Sequence, residues 1–273
     1  MQEISNASYD SVIDFLNAAN NDLRHKDSRS TRDEYTKTES RGRWYGADCD
    51  TGNDVQRKLR DGWQEGREKV ENMLGKLDTS SLVPLDRKRR LVRSDMGDSI
   101  DMNRVYAGEL DTAWTVAKRQ STRGPQRVDI VTNMICHGGE DSDVLFWRGA
   151  CAIALSDKLE SAGYMVRLIV GFGGEHDSTK VSCRVTVKDH GMPLDISTVS
   201  SVIIPGFFRA IGHGWIAGHT PYKCSNPGIG VGLCKVEPGE IVLSHEIRNE
   251  QTAIAAAMKI IAKINGDEQE AAA

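Results

Sequence analysis

The chain has 273 residues, 39% hydrophobic, 27% charged and 6% aromatic, with a formal net charge of −4. A mean hydropathy of −0.44, with no apolar run near the ~20 residues that cross a bilayer, excludes a helical membrane protein. Six cysteines in a chain this long do not make a disulfide framework, and Met1 to Asp22 is polar and acidic. Reduced thiols and a cytoplasmic protein are therefore expected.

The mean hides two unlike halves. Residues 1–127 hold 23 basic and 22 acidic side chains, whereas residues 128–273 hold 12 basic and 17 acidic ones and most of the Val/Ile/Gly runs. Six of the seven prolines follow Gln120, and Arg119-Gln-Ser-Thr-Arg-Gly-Pro-Gln126 has linker composition. These features predict a charge-dense, mostly helical region over 1–126, an α/β domain over 127–266, and a frayed acidic tail over 267–273.

In chain order, Tyr9 to Leu23 sets Val12, Ile13, Phe15, Leu16 and Ala19 at helical spacing. Lys26 to Arg43 has loop composition. Asn53 to Leu77 predicts the clearest helix of the first half, with Val55, Leu59, Trp63, Val70, Met73 and Leu74 near one face. Gly62, Gly66 and Gly75 each cost such a helix about 1 kcal/mol relative to alanine, which implies close packing or a break. Asp101 to Ala117 is a shorter helical candidate through Val105, Leu110, Trp114 and Val116.

After the seam the period changes. Val128 to Cys136 predicts a buried strand, and Asp143 to Ala162 a helix stopped by Gly163. Tyr164 to Phe172 predicts a second strand, Gly171 to Thr179 a glycine-rich turn, and Lys180 to Val187 a third strand in a hairpin. Leu194 to Ile211 is helical around Pro205-Gly206, Val231–Val236 and Glu240–Ser244 are short strands, and Asn249 to Ile264 is a helix ended by Gly266. A strand–helix–strand of this length joins parallel strands by a right-handed crossover. The fold class expected is α/β: a three-layer sandwich on a mostly parallel sheet with an antiparallel edge strand.

Three local stretches, Val128–Cys136, Trp147-Arg-Gly-Ala-Cys-Ala-Ile-Ala-Leu155 and Leu159-Glu-Ser-Ala-Gly-Tyr-Met-Val-Arg-Leu168, stand in a strand–helix unit followed by a hairpin. This order resembles the von Willebrand factor A-type domain. Upstream, Asp95-Met-Gly-Asp98 with Ala107-Gly-Glu109 precedes the α/β half, and over about residues 40–265 the chain is similar to a family of uncharacterised tailed-phage proteins. A-type domains often hold Mg²⁺ through an Asp-x-Ser-x-Ser loop after the first strand. Here the corresponding Thr132-Asn-Met-Ile-Cys-His137 offers sulfur, imidazole and apolar groups, a poor set for a hard cation that wants oxygen. The resemblance thus implies a domain with no metal and no cofactor.

Open α/β sheets bind ligands at the carboxyl ends of their strands. The expected binding surface there comprises Asn133, His137, Asp141, Asp143, Arg148, His176, His213 and His219, on the loops Cys136–Asp143, Gly171–Thr179 and His213–Lys223. Arg148 can salt-bridge Asp141 and Asp143 or bind an anion. Cys136-His137 are adjacent on a strand and point to opposite faces, so a buried cysteine beside a loop histidine is simpler than a nucleophilic pair. His213, His219, Cys224 and Cys234 do not have zinc-ligand spacing. Gly171-Phe-Gly-Gly and Gly228-Ile-Gly-Val-Gly lack the following helix of a phosphate cradle and suit turns. Arg87, Lys88, Arg89, Arg90 and Arg93, with Lys118 and Arg119, form basic clusters near the seam. They suit a solvated face or nucleic-acid phosphates, and Trp44, Tyr45, Trp63 and Trp114 suit core packing or base stacking. The leading expectation is a phage-type protein–protein interaction or assembly factor, with a protein partner or self-association and no membrane. Nucleic-acid binding through the basic seam 87–127 is second. An enzyme acting at Cys136/His137 and the His213/His219 loop is third.

Overall fold

A computed structural model describes residues 3–21, 44–46, 48–77, 87–97, 99–121, 126–135, 140–176, 179–212, 215–216, 230–232, 234–243 and 245–272. Its main sheet is six-stranded and carries the strands expected after residue 127. β5 (Arg127–Asn133) lies between β6 (Met165–His176) and β9 (Ile241–Leu243), parallel to both. β7 (Thr179–Lys188) is antiparallel to β6, and β8 (Gly230–Gly232) also pairs antiparallel with β6. β1 (Glu3–Tyr9) lies parallel to β7 on its other side. β7 and the edge strand β1, which helical periodicity misses, therefore both run opposite to β5, β6 and β9.

The remaining elements are α1 (Val12–Asn21), α2 (Gly52–Asp61), α3 (Gln64–Lys76), β2 (Arg87–Ser94), β3 (Ser99–Ile100), α4 (Met102–Tyr106), β4 (Trp114–Ser121), α5 (Ser142–Ser161), α6 (Ile196–Val202) and α7 (Glu250–Ala272). The single helix expected over 53–77 is two. Thr51 caps α2 in a capping box with Asp54, Gly62 at φ +83° breaks the chain direction, and α3 follows. A Cβ on Gly66 would stand 2.2 Å from the Trp63 ring, so the glycine lets that indole fold back on its own helix.

Beside its helices, the first half carries four strands among the described residues. The helix expected over 101–117 shrinks to α4, capped by Asp101 and closed by Gly108 at φ +78°. Trp114 then opens β4, which pairs with β2 and β3 in a separate three-stranded sheet. At the other end, α7 continues through Gly266 to Ala272 rather than fraying at residue 267; Glu268, Gln269, Glu270 and the alanines after them favour helix.

Elements from both sides of residue 126 share one core. Phe15 of α1, Tyr45, Val55 of α2 and Met73 of α3 belong to the same buried cluster as Leu145 and Ile153 of α5 and Phe172 of β6. Phe172 sits 5.5 Å from Phe15 and 5.9 Å from both Phe208 and Trp215, ring centre to ring centre, and the Trp215 indole donates to Tyr9 Oη at 3.0 Å. The change in composition near 120–126 therefore does not coincide with a change of core.

The helices form one layer, not two. Buried residues of α1, α2, α3, α5, α6 and α7 all fall in that cluster, against the sheet face of Leu168, Val170, Val181, Cys183 and Val185. Among the described residues the other face holds only a small cluster of Val131, Ile169 and Cys234. The described residues thus form a two-layer α/β arrangement rather than the expected three-layer sandwich. The cause is topological. The β5–α5–β6 crossover joins parallel strands, but β7 is antiparallel to β9, so the return through α6 is not a parallel crossover and handedness does not send it to the far face. α5 occupies the centre of the layer. Asp141 caps it, small residues line it, and Gly149 brings it against Ile203, whose Cβ would lie 2.4 Å from an added methyl.

Candidate functional site

At the carboxyl end of β5, four of the expected surface residues come together, but as scaffold. Asn133 is buried, and its Oδ1 accepts from Ile135 N at 3.2 Å. Arg148, 2% exposed, does not pair with Asp141 or Asp143; its Nη1 donates to the carbonyls of Asn133 (2.6 Å) and Ile135 (2.8 Å). The Asp141 carboxylate is spent on Asp143 N, and Asp143 stands in the first turn of α5, where an acid suits the helix dipole. A second buried cation that sequence reasoning missed, Arg209, donates to Trp44 O (2.6 Å) and Glu140 O (2.7 Å) and lies 5.2 Å from the Trp44 ring. Hydrogen bonds from a charged donor contribute about 1.5–3 kcal/mol each, so both guanidiniums pin the ends of the β5–α5 connection.

His137, His213 and His219 lie outside the described residues, as do Cys136 and Cys224. His176 ends β6, at register position with Thr179. The described thiols are buried. Burial pushes Cys49 and Cys234 up to about 11 and Cys151 to about 12, and raises Cys183 as well. At neutral pH these groups are protonated and poor nucleophiles. Among the described residues no three His, Cys, Asp or Glu side chains gather as a metal site, and no helix is long and apolar enough to cross a membrane.

The face of the main sheet away from the described helices carries paired charge. Asp129, opposite Arg167 in the β5–β6 register, accepts from its Nε (3.1 Å) and Nη2 (2.6 Å), and His190 Nε2 stands 2.8 Å from the same carboxylate. Arg184 grips Glu240 with both guanidinium nitrogens and donates to Lys235 O at 2.6 Å, while Lys235 N donates to Ser182 Oγ. These bonds fasten residues 234–240 across the face. Gly171 makes room for Cys234, whose Sγ would lie 2.3 Å from an added Cβ. Of the stretch expected as a glycine turn, Gly171 to His176 belong to β6, with β8 alongside. Burial raises the Glu240 carboxyl, but Arg184 and the Glu237 N–H outweigh it and hold the group below its ordinary value. A cleft of about 670 Å³ opens beside the start of β5, between Val128, Tyr164, Ile241, Ile260 and Ile264, with Arg127 and Lys263 also lining it.

The tryptophans and tyrosine divide. Tyr45 and Trp63 are buried, and Trp63 meets Phe146 at 5.4 Å; Trp44 and Trp114 are half-buried.

The small sheet is of another kind. In its β2–β4 register Arg89 stands opposite Arg119 and Arg90 opposite Lys118, with Arg87, Lys88 and Arg93 on the same ribbon and no acid in either strand. The basic clusters, separate in sequence, are one ladder. Between the two strands, residues 96–110 carry five of the eight exposed large hydrophobic side chains among the described residues: Met96, Ile100, Met102, Tyr106 and Leu110. Tyr106 is 82% exposed, Met96 70% and Leu110 60%. Single exposed hydrophobics are common, but a concentration of them marks an interaction surface. No expected site residue falls on this segment, because its apolar spacing suits the face of a helix.

Comparison with curated proteins and with solved structures returns no match. A family model described as Domain of unknown function (DUF7192) matches residues 2–268, and the chain belongs to that family.

Proposed function

We propose that this chain is a phage-type protein–protein interaction or assembly factor of the cytoplasm, built on an A-like α/β domain without a metal-binding loop. Its interaction surface is the segment between β2 and β4. The observation that carries the reading is the concentration of exposed apolar side chains at 96–110. The β5–α5–β6–β7 order supports the A-like part, while the single helical layer departs from it. The carboxyl-end residues Asn133, Asp141 and Arg148 serve as the frame of the domain, because their polar atoms are used by local backbone. The test is the Tyr106→Ser/Leu110→Ser variant in size-exclusion with light scattering. A stoichiometric complex, with itself or another protein, should form with the wild type and be lost in the variant. A wild type that forms none, or a variant that retains it, contradicts the reading.

A second reading, nucleic-acid binding through the basic seam 87–127, is favoured by the register that sets Arg89 against Arg119 and Arg90 against Lys118. Such a ribbon suits phosphates, and removing one phosphate-neutralising side chain should lower the salt slope of duplex binding by about 0.9. A gel shift of wild type and Arg89→Ser/Arg119→Ser across salt concentrations tests it; no salt-dependent shift rejects it.

A further inference from the structure

We infer that the partner of this surface is a second copy of the chain, docked so that the basic β2–β4 ribbon of each protomer meets the acidic, apolar segment between β2 and β4 of the other. The inference rests on the interaction reading and adds the occupant. Its ground is charge complementarity within one small sheet. Residues 95–113 hold five acids (Asp95, Asp98, Asp101, Glu109, Asp111) and one base, Arg104. Arg104 pairs with Glu109 at 2.8 Å and lies 3.9 Å from Asp101, whereas Asp95 and Asp111 are exposed carboxylates among the exposed apolar groups. The ribbon next to it has seven bases and no acid, with bases directly opposite one another in the register.

The two unlike surfaces lie toward opposite ends of the same ladder. β2 has eight residues, about 27 Å at ~3.4 Å per residue. Arg87–Arg90 occupy its start, and the acidic segment follows its end at Ser94. Two ribbons related by a two-fold axis and running in opposite directions would bring both pairs of unlike surfaces together at once, the closed arrangement most common among homodimers. A nucleic acid laid along the ribbon would satisfy the bases but would leave the apolar groups uncovered and meet Asp95 and Asp111. A second copy satisfies all three.

Sedimentation velocity with paired charge reversals tests this. The wild type should be dimeric at about 0.01 M salt and dissociate toward 1 M, as the Debye length falls from about 30 to 3 Å. Arg89→Glu/Arg119→Glu and Asp95→Lys/Asp111→Lys should each be monomeric at low salt. Their equimolar mixture should recover the dimer, because the substituted positions of one protomer then face oppositely charged substituted positions of the other, and the second contact is the wild-type one. A wild type monomeric at low salt, a reversal that leaves the dimer intact, or a mixture that stays monomeric overturns the inference. If the wild type is monomeric yet forms a Tyr106-dependent complex with another protein, only the second copy fails. If the ribbon instead retards DNA in a salt-dependent way, its partner is nucleic acid. If no complex of any kind forms, the interaction reading fails with it.

Discussion

The two sheets treat charge in opposite ways. In the main sheet Arg167 stands opposite Asp129 and binds it through both nitrogens, and Arg184 is closed on Glu240. In the small sheet Arg89 stands opposite Arg119 and Arg90 opposite Lys118. Apolar groups follow the same division: Phe172, Leu145 and Met73 are fully covered, while Met96, Tyr106 and Leu110 face solvent. One sheet is satisfied within the chain. The other sets like charges opposite one another in register and carries exposed apolar side chains between its strands.

The contrast is breakable by substitution. Phe172→Ala should cost the most, about 3–5 kcal/mol, because the ring touches Phe15, Phe208 and Trp215 from three separate segments. Urea unfolding should show one transition moved to a lower midpoint; a change below about 1 kcal/mol would mean that the N-terminal elements do not share this core. Arg148→Met should cost about 3 kcal/mol, since two carbonyls lose a charged donor. Hydrogen exchange should localise the loss to the start of α5. An unchanged variant would make Arg148 a ligand-binding candidate again.

Glu240→Gln breaks a nearly buried pair and should cost about 2–4 kcal/mol at neutral pH. Because the Glu240 carboxyl is held below its ordinary value of 4.5, its contribution is present above that pH and lost as the pH falls through the lower, folded value. The difference between wild type and variant should therefore shrink in acid, as read from unfolding midpoints between neutral pH and about 3; a constant difference would show that Arg184 gains nothing from the charge. The smallest effect has the opposite sign. In dilute protein at low salt, Arg89→Thr should raise amide protection in β2 and β4 by about 0.2–1 kcal/mol by removing a like-charge pair. A loss of protection there would contradict the register.

Much of the main sheet is legible in the sequence. β5, α5, β6, β7 and α7 announce themselves by alternation or by a helical apolar stripe, and Gly163 at φ +102° ends α5 as its position suggests. What is not legible has physical causes. β1 is Glu-Ile-Ser-Asn-Ala-Ser-Tyr, too polar to stand out, and its partner β7 lies far along the chain. β4 is hidden because Val105, Leu110, Trp114 and Val116 happen to fall at helical spacing. Only pairing with β2 and β3 makes Trp114 a strand residue. The charged face of the sheet does have a signal: Asp129, Arg167, Arg184 and Thr186 alternate with apolar residues, the pattern of a sheet with one polar face. The four strand-end residues do gather around one loop, as their positions in the chain suggest. Their hydrogen bonds, which decide between frame and binding site, depend on backbone carbonyls that no sequence pattern displays.

Hydrogen–deuterium exchange of the full chain at low and high salt tests the central division most directly. The account predicts that low salt adds protection in residues 87–121 and leaves β5, β6 and β7 unchanged. Protection that instead appears at residues 133–143, or on the charged face of the main sheet, would contradict it.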